Sequence, residues 1–438
     1  MGGASQRRGQ ITNHWKQSQH DGCRPVAINC GLAAEEIKVS FANPLMTRIF
    51  HVKSSRVFLK FHGPGNHMNR TITFLAVLCF SVSCLFLSSA EAGRPKVRID
   101  KVGIAHRQFV PPEPYDWRGA KTHSLVTDIW YPADATAVEQ PQLVGTPDAP
   151  FATAGKAAPG APVIAAPEKL PLILLSHGTG GSSTMMAWLG TALASHGYIA
   201  VAVNHPGNNG LEPYTLQGFS IWWERASDLT AVLNAMLADS TFGPRIDPRR
   251  IGAAGFSLGG FTVLEIAGGI GDFSRVEAFC ESHNGDGSCT DPPEFPGLSA
   301  KLGALSKTDP AFQAALLEGA QPHRDPRIRA VFAIAPALGP AFAPDSLAKI
   351  SIPVQIVAGS ADTVVPIETS AKYFVAHIPG AQLTIIQDVG HYTFLATCLE
   401  LGDQTKPQLC LDRAGVLRDD IHTQTATLAF HFFDSNLR

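Results

Sequence analysis

The spacing of apolar and polar positions changes period repeatedly along the chain after Lys96. The stretch SLVTDIWYPA (124–133) alternates as a half-buried strand does, whereas LPLILLSHGTGG (170–181) is apolar without interruption until it breaks into glycines. The second pattern predicts a parallel strand covered on both faces that feeds a tight turn. Ser182 or Ser183 stands where a helix cap is expected, before a helical stretch that ends at Gly197. Further strands are predicted over 198–207, 249–257, 327–337, 352–362 and 381–391, with helices over 223–239, 258–269, 345–350, 366–380 and 416–437. Strands alternating with helices predict an α/β fold with a mostly parallel, doubly wound sheet and right-handed crossovers. Two stretches fall outside the alternation. The Pro/Ala/Gly-rich residues 134–167 read as a loop, and residues 269–327 read as an insertion that forms a cap over the strand ends.

Ahead of this domain, which runs over 93–438, lies MNRTITFLAVLCFSVSCLFLSSAEAG (68–93). Arg70 supplies a short positive region, residues 72–87 an uncharged apolar run, and Ala90-Glu91-Ala92 a small-x-small cleavage pattern. These are the parts of a secretory signal peptide (68–92), cleaved after Ala92. Sixteen residues fall short of the about 20 that a membrane-spanning helix needs, and a lipoprotein site at Cys84 is disfavoured because apolar residues continue past it. Residues 1–67 show little sustained periodicity, so translation is expected to begin at Met68 or this extension to be disordered.

The 438-residue chain is 45% hydrophobic and 16% charged, with a formal net charge of −2. Ordinary globular composition of this kind leaves ample material for a large core. It carries no excess of Lys and Arg that would favour nucleic acid. Four of the eight cysteines follow residue 93, as the sequence-local pairs Cys280/Cys289 and Cys398/Cys410. In an exported chain an even count points to disulfides. Of three connectivities the local one is expected, with four free thiols as the alternative. Neither pair has the spacing of a zinc site.

The candidate chemistry centres on AAGFSLGGFT (253–262), where Gly255-Phe256-Ser257-Leu258-Gly259 fits G-x-S-x-G at a predicted strand-to-helix junction. There a serine nucleophile sits on a tight turn, and the Leu258 amide lies at a helix N-terminus, where it can bind an oxyanion. A serine hydroxyl needs a base, and the base an orienting acid. Asp362 in GSADTVVP and His391 in DVGHYTF follow later strands in the order Ser, acid, His. Asp388, His422, His431 and His205 are weaker candidates, with His205 expected to shape the site. In SHGTGG (176–181) the amide of Thr179, with Gly180 next, is the expected second oxyanion donor, and His177 is expected to buttress that loop; a mere tight turn is the alternative.

Taken together, LLSHGTGG, VNHPG, GFSLGG, AGSADTVVP and GHYTFL, spread over 173–395, resemble the α/β-hydrolase family. More narrowly they are similar to bacterial dienelactone-hydrolase-like serine esterases related to platelet-activating-factor acetylhydrolase. Dienelactone hydrolases carry a cysteine nucleophile where this chain has Ser257. The resemblance implies short-acyl ester hydrolysis at most, and a mechanism through Ser257, His391 and Asp362 requires no metal or organic cofactor. The expectation is therefore an exported serine hydrolase acting on a small-molecule ester. Acyl transfer or amide hydrolysis by the same groups is the alternative within enzymes, and a non-catalytic binding protein the alternative outside them.

Overall fold

The computed structural model describes residues 101–437 apart from Pro167. The predicted signal peptide and the extension before it lie outside the described residues. Eleven strands form one sheet: β1 (Lys101–Phe109), β2 (Leu125–Ala133), β3 (Gln140–Thr146), β4 (Ala149–Pro159), β5 (Leu170–Ser176), β6 (Ile199–Val203), β7 (Ile246–Phe256), β8 (Ile328–Ile334), β9 (Val354–Gly359), β10 (Gln382–Ile386) and β11 (Thr397–Cys398). Their spatial order is β10-β9-β8-β7-β5-β6-β2-β1-β4-β11, with β3 paired to β4. The six strands from β10 to β6 are mutually parallel. β2 then joins antiparallel to β6, and β1 antiparallel to β2.

The central strands form because Leu, Ile, Val and Ala occupy nearly every position of β5, β6 and β9, all buried on both faces. Helices cover both faces. α1 (Ala187–Ser195) and α8 (Arg418–Asn436) pack on one side with Ile173, Leu175, Phe332 and Phe433, while α2 (Glu224–Ala238) and α3 (Leu258–Ile266) lie on the other with Leu172, Leu174, Val201 and Ile356. α4 (Phe273–Ser282), α5 (Leu298–Thr308) and α6 (Pro310–Gly319) make up the insertion, and α7 (Ala371–His377) lies between β9 and β10. The insertion has a small core of its own, in which Leu298, Leu302 and Phe312 close over Phe219, Ile221 and Trp223.

Three expectations need correction. The stretch 134–167 is not a loop: it holds both β3 and β4, a hairpin at the far edge of the sheet. Ala152, Ala154, Ala157 and Ala158 are buried there, so small residues pack where the loop reading saw only low complexity. Neither Ser182 nor Ser183 caps α1 with its side chain, because a short 3₁₀ turn (Ser183–Met186) intervenes and the Ser183 hydroxyl donates instead to Asp128 Oδ2 at 2.6 Å. The strand predicted over 381–391 ends at Ile386, and His391 opens a separate 3₁₀ turn.

The chain reverses its direction of travel across the sheet at β5. β6 lies on one side of it, and β7 through β10 run away on the other. Such a switch point opens a crevice beyond the carboxyl ends of the strands. Ser176, the last residue of β5, is in register with Gly255 of β7, so the segments that follow both strands emerge side by side.

Candidate active site

Ser257 follows β7 directly and precedes α3, with backbone angles of φ 55° and ψ −117°. A non-glycine residue held at positive φ is strained, and the surroundings must enforce it. Here its amide donates to Ile334 O at 2.9 Å, and its carbonyl accepts from Phe261 N at 3.1 Å and Ala337 N at 3.0 Å. The glycines are needed because the turn is crowded. A Cβ at Gly255 would lie 2.0 Å from Gly259 O, and one at Gly259 would lie 2.0 Å from Ser176 O.

The structure brings Asp362 and His391 to Ser257. His391 Nε2 is 3.0 Å from Ser257 Oγ, and His391 Nδ1 is 2.7 Å from Asp362 Oδ2. Asp362 Oδ1 is already occupied by the amides of Val364 (3.0 Å) and Val365 (2.8 Å). A carboxylate only accepts, so the ring hydrogen sits on Nδ1 and leaves Nε2 free to accept from the serine hydroxyl. Phe256 packs beside the imidazole, ring centroids 4.9 Å apart. Asp388 is not brought in: it faces solvent and pairs with Arg413 at 3.4 Å.

The loop after β5 also reaches Ser257, since a Cβ on Gly178 would stand 3.2 Å from Ser257 Cβ. Within this loop the Gly180 amide donates to Asn208 Oδ1 at 2.7 Å and the Gly181 amide to Gly178 O at 3.2 Å. Both are thereby committed, which favours Thr179 over Gly180 as a donor to a bound anion. The Leu258 amide opens α3, the other position expected to face developing negative charge.

Beneath the loop lies a second Ser–His–Asp chain that sequence reading did not find. The Ser176 hydroxyl meets His205 Nε2 at 2.9 Å, His205 Nδ1 meets Asp228 Oδ2 at 2.7 Å, and Arg118 NH2 reaches both Asp228 oxygens at 2.9 and 2.8 Å. The Tyr115 hydroxyl donates to Asp228 Oδ1 at 2.5 Å. Ser176, His205 and Asp228 are each 0% exposed, against 8% for Ser257, so no substrate reaches this second array. It serves as a post. Arg225 extends it by donating to His177 O, to Ser176 Oγ at 3.3 Å and through Nε to Thr262 Oγ1 at 3.1 Å, which ties α2 to both the loop and α3. His177 Nε2 accepts from the His205 amide at 3.3 Å, so its Nδ1–H donates to Gly178 O at 2.6 Å. That carbonyl belongs to the peptide whose N–H is the Thr179 amide.

Charge in this post is held by contact. Burial alone would raise the Asp228 carboxyl, but Arg118 and the hydrogen bonds from His205 and Tyr115 hold it at about 2. Burial, assisted by Arg225, lowers His205 to about 3 and His177 well below its ordinary 6.5. Burial likewise lowers His422 to about 4; its ring stacks on Trp188 and bonds Leu395 O at 2.8 Å. All three histidines stay neutral in the folded protein, whereas the unfolded chain takes up protons below about pH 6.5. Stability is therefore expected to fall as pH drops from about 6.5 toward 4, by at most about 1.4 kcal/mol per pH unit for each histidine. Melting temperature measured from pH 7.5 to 4.5 checks this, and a flat profile would overturn it.

Both local cysteine pairs are joined, Cys280 to Cys289 (Cα–Cα 5.4 Å) and Cys398 to Cys410 (Cα–Cα 5.6 Å). Among the described residues the one grouping with metal-ligating side chains is Cys398, Asp403 and Cys410, and its two sulfurs are bonded to each other. Trp222 belongs to the main core and Trp223 to the core of the insertion. No helix among the described residues is long and apolar enough to cross a membrane.

The chain belongs to the alpha/beta hydrolase family, whose model matches residues 172–401, more than half of its length. Among curated relatives it is 38% identical over 80 residues to Lipase 1 of Moraxella sp. (strain TA144), which covers 18% of this chain and 22% of that one. It is 33% identical over 97 residues to Cutinase 1 of Thermobifida cellulosilytica, covering 22% and 33%. The chain thus spans a third or less of these relatives' length. Among solved structures it is similar to a ferulic acid esterase from Streptomyces cinnamoneus, with a TM-score of 0.53 and 22% identity over 79% of this chain and 92% of that one. That likeness extends the shared fold across most of the domain.

Proposed function

We propose that this protein is a serine hydrolase that cleaves a carboxylic ester through an acyl-enzyme. The observation that carries the reading is the unbroken hydrogen-bond chain Ser257–His391–Asp362, set beyond the strand ends at the switch point. Ser257 Oγ attacks the ester carbonyl carbon while His391 Nε2 takes its proton, and Asp362 stabilises the imidazolium that forms. The amides of Thr179 and Leu258 bind the oxyanion of the tetrahedral intermediate. His391 then protonates the departing alkoxide, and a water deprotonated by the same ring releases the acid. The named activities of the lipase and cutinase relatives support an ester rather than an amide.

The segment 68–92 acts as a signal peptide in this reading, and the two disulfides are in keeping with an oxidising compartment. Residues 269–327 act as the cap. The function is tested by incubating the folded protein with a fluorophosphonate probe and mapping the adduct. Stoichiometric labelling of Ser257, with parallel loss of p-nitrophenyl butyrate turnover, is the expected result. An unlabelled protein, or an adduct elsewhere with Ser257 free, would overturn the assignment.

A further inference from the structure

Part of the insertion runs as a strap across the mouth of the site. At one end the Cys280–Cys289 disulfide closes a loop against the segment that follows Asp362: Asp286 Oδ2 accepts from Thr369 Oγ1 at 2.7 Å, and a Cβ on Gly287 would fall 2.3 Å from Val364 O. At the other end Phe295 packs on Phe219, ring centroids 5.1 Å apart. Between these anchors Glu294 lies on the loop that carries the Thr179 amide, where a Cβ at Gly180 would stand 2.8 Å from Glu294 Cγ. The Tyr214 hydroxyl, which donates to Gly180 O at 2.9 Å, borders the same spot. The Glu294 carboxylate forms no ion pair among the described residues. Burial raises its pKa above the ordinary carboxylate value, while a hydrogen bond from its own backbone amide and the nearby His391 ring pull it partly back; that one amide leaves the rest of the carboxylate's acceptor capacity open. A half-buried carboxylate without a cation is costly to keep unless something else meets it.

We propose that Glu294 is a specificity-determining residue whose carboxylate receives a hydrogen-bond donor carried by the ester, an ammonium or a hydroxyl, and repels esters with a carboxylate at that place. This rests on the reading of Ser257 as nucleophile. The strap fixes where the donor must be, because Glu294 is held between the segment after Asp362 and the Gly178–Gly180 turn instead of swinging free in solvent. A bond to a charged acceptor discriminates strongly where water is excluded, and leaving that acceptor unmet loses most of the gain.

The test compares p-nitrophenyl 6-aminohexanoate, 6-hydroxyhexanoate, hexanoate and the adipate half-ester, together with phenyl acetates bearing para aminomethyl, hydroxymethyl, methyl or carboxylate groups. One set varies the acyl side and the other the alcohol side. In at least one set, kcat/KM should favour the ammonium or hydroxyl ester over the carboxylate ester by about tenfold or more. In Glu294→Leu, which removes the acceptor and keeps similar bulk, that ratio, referred to the same variant's neutral ester, should fall to within about twofold of unity. An ammonium preference without a hydroxyl preference identifies charge as what is recognised, and both together identify the hydrogen bond. The proposal is overturned if neither set is ordered in the wild type, or if the ordering survives in Glu294→Leu. Failure of the Ser257 reading is separate, since then even the neutral esters are not turned over.

Discussion

Replacing Ser257 with alanine is expected to lower turnover of p-nitrophenyl butyrate by roughly 10⁴- to 10⁶-fold while leaving the melting temperature nearly unchanged. The reason for both halves is local. The hydroxyl makes its hydrogen bond to His391 Nε2, whereas the turn itself is held by backbone bonds to Ile334, Phe261 and Ala337 that alanine keeps. Alanine is no more strained at φ 55° than serine, because both carry a Cβ. Groups that act as one unit are not additive, so His391→Ala should cost a similar factor alone and almost nothing further on top of Ser257→Ala. A second large loss in the double variant would mean that His391 supports turnover through some nucleophile other than Ser257. Retained turnover in Ser257→Ala would exclude the acyl-enzyme at this residue.

How much of this could be read in the sequence follows from the range of the interactions. β5, β6, β9 and the second half of β7 (Ile251–Phe256) were legible because a stretch of strand buried on both faces must be almost wholly apolar, which is a property of adjacent residues. The Ser257 turn was legible for a related reason: two close approaches, at Gly255 and Gly259, force glycine at fixed offsets. β3 and β4 were not, since alanines packed at a sheet edge look like low complexity until the partner strand is known. The post under the Gly178–Thr179 peptide was still less accessible. Ser176, His205 and Asp228 are spaced along the chain with no motif, and Arg118 meets Asp228 across 110 positions. A single signal was available, the HPG after β6, which placed His205 at a strand end beside the site without naming its partners. Glu294 lay in the stretch TDPPEFPG, whose prolines marked an irregular segment and left its position over Gly180 open.

The largest effect on stability is expected where the most charge is buried with the fewest alternatives. Asp228→Ala removes the carboxylate that Arg118 grips with one nitrogen, that His205 donates to, and that Tyr115 contacts, all within the closed interior. Arg118 and Asp228 side chains are 1% and 0% exposed, so water cannot replace the lost partner. Breaking such a pair by deleting one member costs about 3–5 kcal/mol, a large share of the roughly 5–15 kcal/mol that separates a folded domain from its unfolded chain. Asp228→Asn should be milder, because an amide oxygen can still accept one of these bonds while the Arg118 charge goes uncompensated. The exposed Lys372–Glu368 pair is the natural contrast. Its nitrogen and oxygen are 2.6 Å apart, yet the side chains are 49% and 74% exposed, so Glu368→Ala should cost no more than about 0.5 kcal/mol. Urea unfolding midpoints of the three variants check the ranking. If Asp228→Ala unfolds no earlier than Glu368→Ala, the post does not hold the loop. If it folds but loses ester turnover far beyond its loss of stability, the His205–Asp228 pair positions the Thr179 amide as well as supporting the fold.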